Sequence, residues 1–363
     1  MNSPHAARFS PEKMLAAPVA AALLSIALLP LASAQQPAPP PAGPQPIVLD
    51  VLVTKSGKPV PNLQQQDFTV LDNGQPSKLL VFHQHNLADV PAGQVDASTN
   101  VIIILDEVNT PYDKVVFARQ GIQQFLKQDN GNLNHPVTLG FFTEKGLDLQ
   151  TQPSLDGNAL SAALDKQEQS FRILQNGAQY GGSQRMALSL NALDNLIDSQ
   201  KTRPGRKFVI WVSPGWPLLA GPQNVLTAGQ KQQTLDTAMR LSTVLRQARI
   251  TLYSIFPLGL AGVGTGAAEY YQHFLTPLTD PSKAFLANLS LQVLVTQSGG
   301  RVLFGNDLIQ VSLNNAVADL SAFYTLAIDP APSTQPNEFH TLDIKLSNPK
   351  LQALTRNGYY AQP

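Results

Sequence analysis

The sequence predicts an α/β fold, with helices flanking a doubly wound, mostly parallel Rossmann-like sheet and smaller β segments at both ends of the chain. First, the segment Asn100–Pro111 contains five consecutive aliphatic residues, Val101 to Leu105, and such a run is typical of a strand buried on both faces. Second, apolar strand-like and amphipathic helix-like segments alternate from Asn100 to Ser321, which favours a parallel sheet. Third, Pro-rich turns separate strand-like segments on either side of this region.

Composition limits the classes of partner. The chain has 363 residues, 43% of them hydrophobic, so it can bury a substantial core. Its 25 basic and 25 acidic residues balance, which gives no reason to expect nucleic acid as a partner. It contains no Cys, so its stability must come from burial of apolar side chains.

The N-terminal segment has the pattern of a secretory signal peptide over residues 1–34. Arg8 and Lys13 precede an apolar stretch from Met14 to Leu31, and small residues at 32–34 indicate cleavage after Ala34. The stretch is also long enough for an uncleaved anchor, although two prolines within it oppose a stable spanning helix. We therefore expect an exported protein, periplasmic or extracellular, with no stable membrane insertion after cleavage. Residues 35–46 form a Pro-rich linker.

An N-terminal β segment is predicted over residues 47–90. Its strands are expected at Ile47–Thr54, Phe68–Leu71 and Lys78–His83. Asp72-Asn73-Gly74 has the composition of a hairpin turn between the last two of these strands. Because these few strands cannot bury a core by themselves, the segment needs another element to pack against.

The α/β domain is predicted over residues 97–321. Its expected strands are Val101–Leu105, Pro136–Thr143, Lys207–Ser213, Ile250–Phe256 and Arg301–Phe304. Its expected helices are one that starts near Pro111, one around Leu155–Gln167, one that carries Met186 to Ile197, one that carries Leu235 to Leu245, one at about Ser282–Gln297 and one that includes Leu308 to Leu320. Gly259–Gly266 is rich in glycine but lacks the spacing of a nucleotide-binding loop, so we interpret it as a flexible loop.

A C-terminal β segment is predicted over residues 322–363. Its strands are expected at Ala322–Asp329, Phe339–Leu346 and near Gly358–Ala361. Two arrangements are compatible with this pattern: the N- and C-terminal segments pair in one small β-sandwich, or each forms a separate appendage.

The end of the first buried strand is the predicted functional site. Ligand sites on parallel sheets lie outside the carboxyl ends of the strands. Asp106, Glu107, Asn109 and Thr110 follow this strand directly. The alternative is structural, since Asp and Asn at a strand end often brace a turn or cap the next helix through hydrogen bonds to the backbone.

Three groups of motifs resemble the VWFA-related proteins that are widespread in acidobacteria, whose central domain is of the von Willebrand factor type A (VWA) class. They are a strand followed by G-K-P-V and L-x-x-x-D-F over 47–68, L-D-E-V-N-T-P over 105–111, and R-N-G-Y-Y over 356–360. Together they span nearly all of the chain after residue 46. The resemblance implies a doubly wound α/β domain with a metal-ion-dependent adhesion site.

In that site, oxygens from three loops hold Mg²⁺ or another divalent cation. The resemblance implies Asp106, Thr110 and Ser183 as metal ligands, whereas Val108 replaces a Ser and Ser213 stands where an Asp is expected. The site is therefore degenerate, and no cofactor is certain. Ser183 is alternatively the N-cap of the next helix. The full set of predicted ligand-binding residues is Asp106, Glu107, Asn109, Thr110, Ser183, Ser213 and Trp216, the last as an exposed contact.

The predicted function is that of an exported binding or adhesion module, not an enzyme, that recognises a protein or cell-envelope ligand at this edge. One alternative is an envelope hydrolase that uses carboxylates at the same edge. The other is a purely structural envelope scaffold. The sequence names no partner and no oligomeric state.

Overall fold

The computed structural model describes residues 45–91, 98–167, 181–257, 269–304 and 308–361. The predicted signal peptide, most of the Pro-rich linker and the Gly259–Gly266 loop lie outside these ranges. The chain divides into two compact units, 1–42 and 43–363, and all described residues belong to the second.

The secondary structure elements are labelled in chain order. The first eight strands are β1 (Ile47–Lys55), β2 (Lys58–Pro59), β3 (Phe68–Asp72), β4 (Gln75–Pro76), β5 (Leu79–Asn86), β6 (Thr99–Asp106), β7 (Asn132–Thr143) and β8 (Gly146–Leu149). The remaining strands are β9 (Ser154–Asp156), β10 (Arg206–Val212), β11 (Ile250–Phe256), β12 (Val302–Phe304), β13 (Ala322–Ile328), β14 (Phe339–Leu346), β15 (Gln352–Leu354) and β16 (Gly358–Tyr360). The α-helices of the described residues are α1 (Tyr112–Leu126), α2 (Gly157–Lys166), α3 (Gly182–Gln200), α4 (Ala228–Gln247), α5 (Leu291–Gln297) and α6 (Ile309–Ala318).

The central sheet has the strand order β12-β11-β10-β6-β7-β8. The pairs from β12 to β7 are parallel, while β8 and the short β9 pair antiparallel with β7. Strand β6 lies inside this sheet, and its aliphatic run from Val101 to Leu105 is buried throughout. The chain is therefore a mixed α/β protein with a mostly parallel sheet, as the alternating pattern predicts.

Helices cover both faces of this sheet because successive side chains of a strand point to opposite faces. Ile102 and Ile104 of β6 pack in one apolar cluster with residues of α3, α4 and α5. Val101, Ile103 and Leu105 pack in another with residues of α1, α2 and α6. Each fully buried aliphatic side chain contributes roughly 1.5–3 kcal/mol to folding, so the two clusters are the main source of stability in this part of the chain.

The N- and C-terminal β segments pair with each other. Strand β1 runs antiparallel to β13, and the sheet that contains them has the order β15-β1-β13-β5. A second sheet has the order β16-β14-β3-β4. The apolar cluster between them draws on both segments, with Leu49 and Phe68 from one and Tyr324, Leu342 and Tyr359 from the other.

The predicted hairpin after β3 is shorter than expected, and β5 lies in a different sheet. Asn73 and Gly74 have positive φ angles of 49° and 78°, which suits a tight turn. Only the two residues of β4 pair with β3, because Pro76 has no N–H with which to extend the ladder. Strand β5 instead pairs with β13 of the other sheet.

The prediction of a single helix over Ser282–Gln297 is largely wrong. Only Leu291–Gln297 is α-helical, and 3₁₀ turns at Pro281–Lys283 and Leu286–Leu289 precede it. Ser290 is extended (φ −69°, ψ 153°), and the Asn288 side chain accepts a 2.8 Å hydrogen bond from the Phe285 N–H. Such local side-chain bonds compete with helix formation. Within the described ranges, no helix combines the length and the apolar character needed to span a bilayer.

Candidate functional site

The site is built where two neighbouring parallel strands end. Leu105 of β6 pairs with Val212 of β10, so Asp106 and Ser213 lie side by side at the carboxyl edge of the sheet. Both are completely buried. Ser213 Oγ donates a 2.7 Å hydrogen bond to Asp106 Oδ2, and in turn accepts one of 3.1 Å from the N–H of Gly215.

Asp106 is held by further donors. Its Oδ1 accepts hydrogen bonds from the backbone N–H groups of Val108 (3.0 Å) and Asn109 (2.8 Å). The Asn109 side-chain amide donates to Oδ2 (3.0 Å), and Trp211 Nε1 donates to the same oxygen (3.1 Å). Burial raises the pKa of the Asp106 carboxyl, while the hydrogen bonds from Asn109, Ser213 and Trp211 oppose that rise. The side chain therefore braces the turn after β6, as the structural alternative predicted.

Beside this braced carboxylate lie polar atoms without partners. Glu107 Oε2, Asn109 Oδ1 and Thr110 Oγ1 are buried and accept or donate no hydrogen bond within the described residues. The pKa of Glu107 is raised to about 7, because burial raises it more than the positive charge of Arg119 lowers it, and the Asp106 charge adds a smaller rise. Buried polar atoms are normally hydrogen-bonded, so three unpaired polar atoms within four residues are unusual for a structural loop.

Helix α3 contributes a different serine from the predicted one. Its N-cap is Gly181, and Ser183 is exposed in the first turn, so the expectation that Ser183 caps the helix is wrong. Ser189, completely buried, accepts a 3.0 Å hydrogen bond from the Asn109 amide. A signal for Ser189 exists in the sequence: it lies three residues after Met186 and four before Leu193, on the buried face of the helix.

Trp216 is not the exposed contact that the sequence suggested. It is 2% exposed, and its ring packs edge-on against Trp211 at 5.3 Å. The loop folds inward at Gly215, whose φ is +99°, and Gln292 of α5 donates a 3.0 Å hydrogen bond to the carbonyl of Pro214. This inward path carries Trp216 into the core.

The oxygens present do not fit a divalent cation in this arrangement. A cation would need Asp106 oxygens with free lone pairs, and these already accept bonds from five different groups. Val108 offers no ligand, and Ser183 is exposed in the first turn of α3. Across the described ranges, no group of three or more His, Asp or Glu side chains is placed to hold a metal.

Exposed apolar side chains are frequent in the segments that follow the parallel strands. Of the eleven large hydrophobic residues that are exposed in the described ranges, eight lie between the carboxyl end of a parallel strand and the first two turns of the helix that follows it. We refer to these eight as the carboxyl-edge surface: Tyr112, Val116, Phe117, Val225, Tyr270, Phe285, Leu308 and Val311. They follow β6, β10, β11 and β12, which are neighbouring parallel strands of the central sheet.

The fold and this cluster define a mixed α/β protein with a braced carboxylate at the carboxyl edge of its parallel sheet. No family model matches the sequence, and no curated protein matches it. Among solved structures, the human COPII-coat protein Sec24c is similar at 7% identity, with a TM-score of 0.33 over 77% of this chain and 46% of that one. The pilus adhesin SpaC from Lactobacillus rhamnosus GG is similar at 10% identity, with a TM-score of 0.36 over 84% of this chain and 49% of that one.

The N-terminal domain of TFIIH p34 is similar at 13% identity, with a TM-score of 0.25 over 44% of this chain and 81% of that one. This chain spans about half the length of the Sec24c and SpaC chains that it matches. Likenesses with such low TM-scores carry no argument about family or activity.

Proposed function

We propose that this chain is an exported, non-enzymatic binding module with a VWA-like sheet that recognises a protein or cell-envelope ligand through the carboxyl-edge surface. The observation that carries the proposal is that eight of the eleven exposed large apolar side chains of the described residues lie in the segments that follow four neighbouring parallel strands. Exposed apolar patches on a folded protein indicate interaction sites, and aromatic side chains such as Tyr112 and Phe117 are frequent anchors in interfaces.

The braced carboxylate gives this surface a rigid base. Asp106 ties the end of β6 to β10 through Ser213 and to α3 through Asn109, which in turn contacts Ser189. The loop that leads to Tyr112 therefore starts from a fixed point. Rigid elements that position contact residues reduce the entropy lost on binding.

The partner implied by this surface is a protein or another ligand with apolar groups. The formal net charge of zero supports neither nucleic acid nor an anionic surface as partner. In this proposal binding needs no metal ion, because apolar contacts supply the affinity. Export rests on the signal-peptide pattern of residues 1–34.

A pull-down from cell-envelope extract with matched variants tests the proposal. A double variant, Tyr112→Ser with Val225→Ser, removes two exposed side chains from the surface. Leu80→Ser is the control, since Leu80 is 43% exposed on β5 of the β-sandwich. We expect a ligand that the wild type and Leu80→Ser retain and that the double variant loses. Equal capture by all three proteins contradicts the proposal.

The hydrolase alternative has one observation in its favour. A carboxyl with a pKa of about 7, as in Glu107, suits proton transfer near neutral pH. Hydrolysis of envelope glycan or peptide substrates by the wild type, abolished by Glu107→Gln, would support it. If the wild type hydrolyses none of these substrates and the double variant of the carboxyl-edge surface loses the captured ligand, the binding module is favoured.

A further inference from the structure

A groove lined with polar side chains lies between helices α1 and α6. Both helices cover the face of the central sheet that carries Val101, Ile103 and Leu105. They approach each other closely at Gly121, where an added Cβ would clash with the side chain of Ile309. Two cavities, of about 450 Å³ and about 230 Å³, lie along this pair of helices.

The two cavities are parts of one groove. Gln128, which follows the end of α1, lines both of them. Gln310 lines the larger cavity and Asn314 the smaller one, and these two residues are one turn apart on the same face of α6. Gln120, Gln124 and Gln128 recur at every fourth residue, so the groove extends over about two turns, or roughly 11 Å.

Side-chain amides dominate the lining. Five of the six residues that line the larger cavity are glutamines, and the sixth is Lys127. The smaller cavity adds the amides of Asn132, Asn134 and Asn314. We refer to the two cavities together as the amide groove. The acidic and basic side chains that line it are Asp129 and Lys127, whose opposite charges balance.

Most of these amides are available to a ligand. Two are engaged within the protein, since Gln123 donates a hydrogen bond to Asp165, and Asn132 Nδ2 donates one of 2.8 Å to the carbonyl of Asp129. The others are at least partly exposed and form no side-chain hydrogen bond with another described residue: Gln120, Gln124, Gln128, Asn134, Gln310 and Asn314. Each amide has two N–H donors and a carbonyl acceptor, so the groove presents both kinds of group along its length.

The smaller cavity also has apolar walls. Phe125 of α1 and Val317 of α6 line it, and so do Val101 and Val137, which are paired residues of β6 and β7. Sites for small ligands commonly combine apolar walls with a few polar groups that fix the orientation of the ligand. The amide groove has this combination.

This lining favours a neutral ligand that is rich in hydroxyl or amide groups. A phosphate or carboxylate ligand would need several cations, and a metal ion would need several carboxylates, whereas the groove offers one side chain of each charge. An extended peptide binds at the free edge of a sheet, but the walls here are helices that bond their backbone groups internally. A sugar hydroxyl donates and accepts hydrogen bonds, as the amides do.

We propose that the amide groove binds a neutral oligosaccharide. The glutamines of α1 and Gln128 contact its hydroxyl or acetamido groups from one side, and Gln310 and Asn314 contact them from the other. The C–H groups of a sugar ring pack against Phe125 and Val317. The groove shares no residue with the carboxyl-edge surface, so binding there does not depend on the function proposed above.

Nuclear magnetic resonance of the full chain tests this site, because ¹H–¹⁵N spectra record the side-chain NH₂ groups of Asn and Gln directly. The single variants Gln128→Ala and Asn314→Ala identify two of these signals, since each variant lacks one of them. The probes are chitotetraose, cellotetraose and tetra-alanine with both ends blocked. We expect a saccharide to shift both signals saturably and the blocked peptide to leave them unchanged.

Isothermal titration calorimetry then measures the affinity for the same saccharide. The double variant Gln128→Ala with Asn314→Ala should bind at least tenfold more weakly, because it removes an amide from each side of the groove. The matched control is Gln233→Ala with Asn191→Ala, which removes the same two types of side chain from exposed positions on α4 and α3. All four residues lie at least partly on the surface, so both double variants should fold, and the control should bind as the wild type does.

The proposal is overturned if neither saccharide binds saturably, if the Gln128→Ala with Asn314→Ala variant binds as tightly as the wild type, or if the blocked peptide takes the place of the saccharides. The variant Tyr112→Ser with Val225→Ser should bind the saccharide like the wild type. Loss of saccharide binding in that variant would place the ligand on the carboxyl-edge surface and would also overturn the assignment to the amide groove.

Discussion

Ser213 Oγ donates a 2.7 Å hydrogen bond to Oδ2 of Asp106, joining the ends of two adjacent parallel strands. In the adhesion site that the sequence resembles, an Asp is expected at the position of Ser213. Two buried carboxylates at this distance would repel unless a cation lay between them. The Ser213 hydroxyl is uncharged and donates a hydrogen bond to Asp106, so no cation is needed between the two side chains. This is consistent with a structural role for Asp106.

Replacing Asp106 with Ala should destabilise the protein strongly. The substitution leaves the Trp211 Nε1, the Ser213 hydroxyl and two backbone N–H groups without their acceptor. We expect a loss of about 3–5 kcal/mol in the free energy of unfolding, measured by urea denaturation. Asp113→Ala is the control, because that carboxyl is 71% exposed. Wild-type stability in Asp106→Ala would show that Asp106 does not brace the edge.

The same variant also tests for metal binding by the native protein. Calorimetric titration of Mg²⁺ and Mn²⁺ into the wild type should give no binding heat, because the oxygens of Asp106 already accept hydrogen bonds. A saturable heat in the wild type that is lost in Asp106→Ala would instead restore the predicted metal site.

Glu107 should make the stability of the protein depend on pH. Its folded-state pKa of about 7 is above its ordinary value of 4.5, so the fold favours the protonated carboxyl. Its contribution to stability is complete below pH 4.5 and is lost as the pH rises through about 7. Glu107→Gln, which mimics the neutral form, should therefore become more stable than the wild type above pH 7 by on the order of 2 kcal/mol. Urea denaturation between pH 4 and pH 8 measures this, and a difference independent of pH would contradict the assignment.

Gly215 should tolerate no side chain. Its φ of +99° is unfavourable for other residues, and a Cβ there would lie 1.8 Å from Gln292 Nε2. We expect Gly215→Ala to destabilise the protein by about 1–3 kcal/mol in thermal or urea unfolding. Gly229→Ala is the matched control, since Gly229 lies in the first turn of α4 with open space around it. That change should be neutral or stabilise by up to about 1 kcal/mol, and equal effects at both sites would argue against the tight loop.

A buried polar group in the β-sandwich offers another test. Tyr359 Oη donates a 2.6 Å hydrogen bond to Asp72 Oδ2, while His340 Nδ1 lies 2.9 Å from Asp72 Oδ1. Tyr359→Phe keeps the ring but removes a donor from a buried carboxylate, so it should cost about 1–3 kcal/mol. Tyr270→Phe, at a 44% exposed site, should change stability by less than about 0.5 kcal/mol. If both variants unfold at the wild-type urea concentration, the hydrogen bond does not stabilise the sandwich.

Local pattern was sufficient to predict most elements of the fold. Strands β11 and β14 begin and end at the predicted residues, and α1 begins directly after Pro111, where a helix was predicted. These features depend on side-chain periodicity, which is visible within a short stretch of sequence. The strand β15 and the true partner of β5 were not predicted, because strand pairing joins residues far apart in the chain.

In the candidate site, too, local features were predictable and long-range contacts were not. The local sequence was enough to predict that Asp106 ends a buried strand, because an aliphatic run followed by a carboxylate places that carboxylate at a sheet edge. The role of the carboxylate at that edge depends on contacts between distant parts of the chain. Trp211, Ser213 and Asn109 converge on it from separate parts of the chain, Ser189 takes the place expected for Ser183, and Trp216 turns inward. The physical reason is that a hydrogen bond depends on distance in space, and no local pattern specifies which distant donors will meet a buried acceptor.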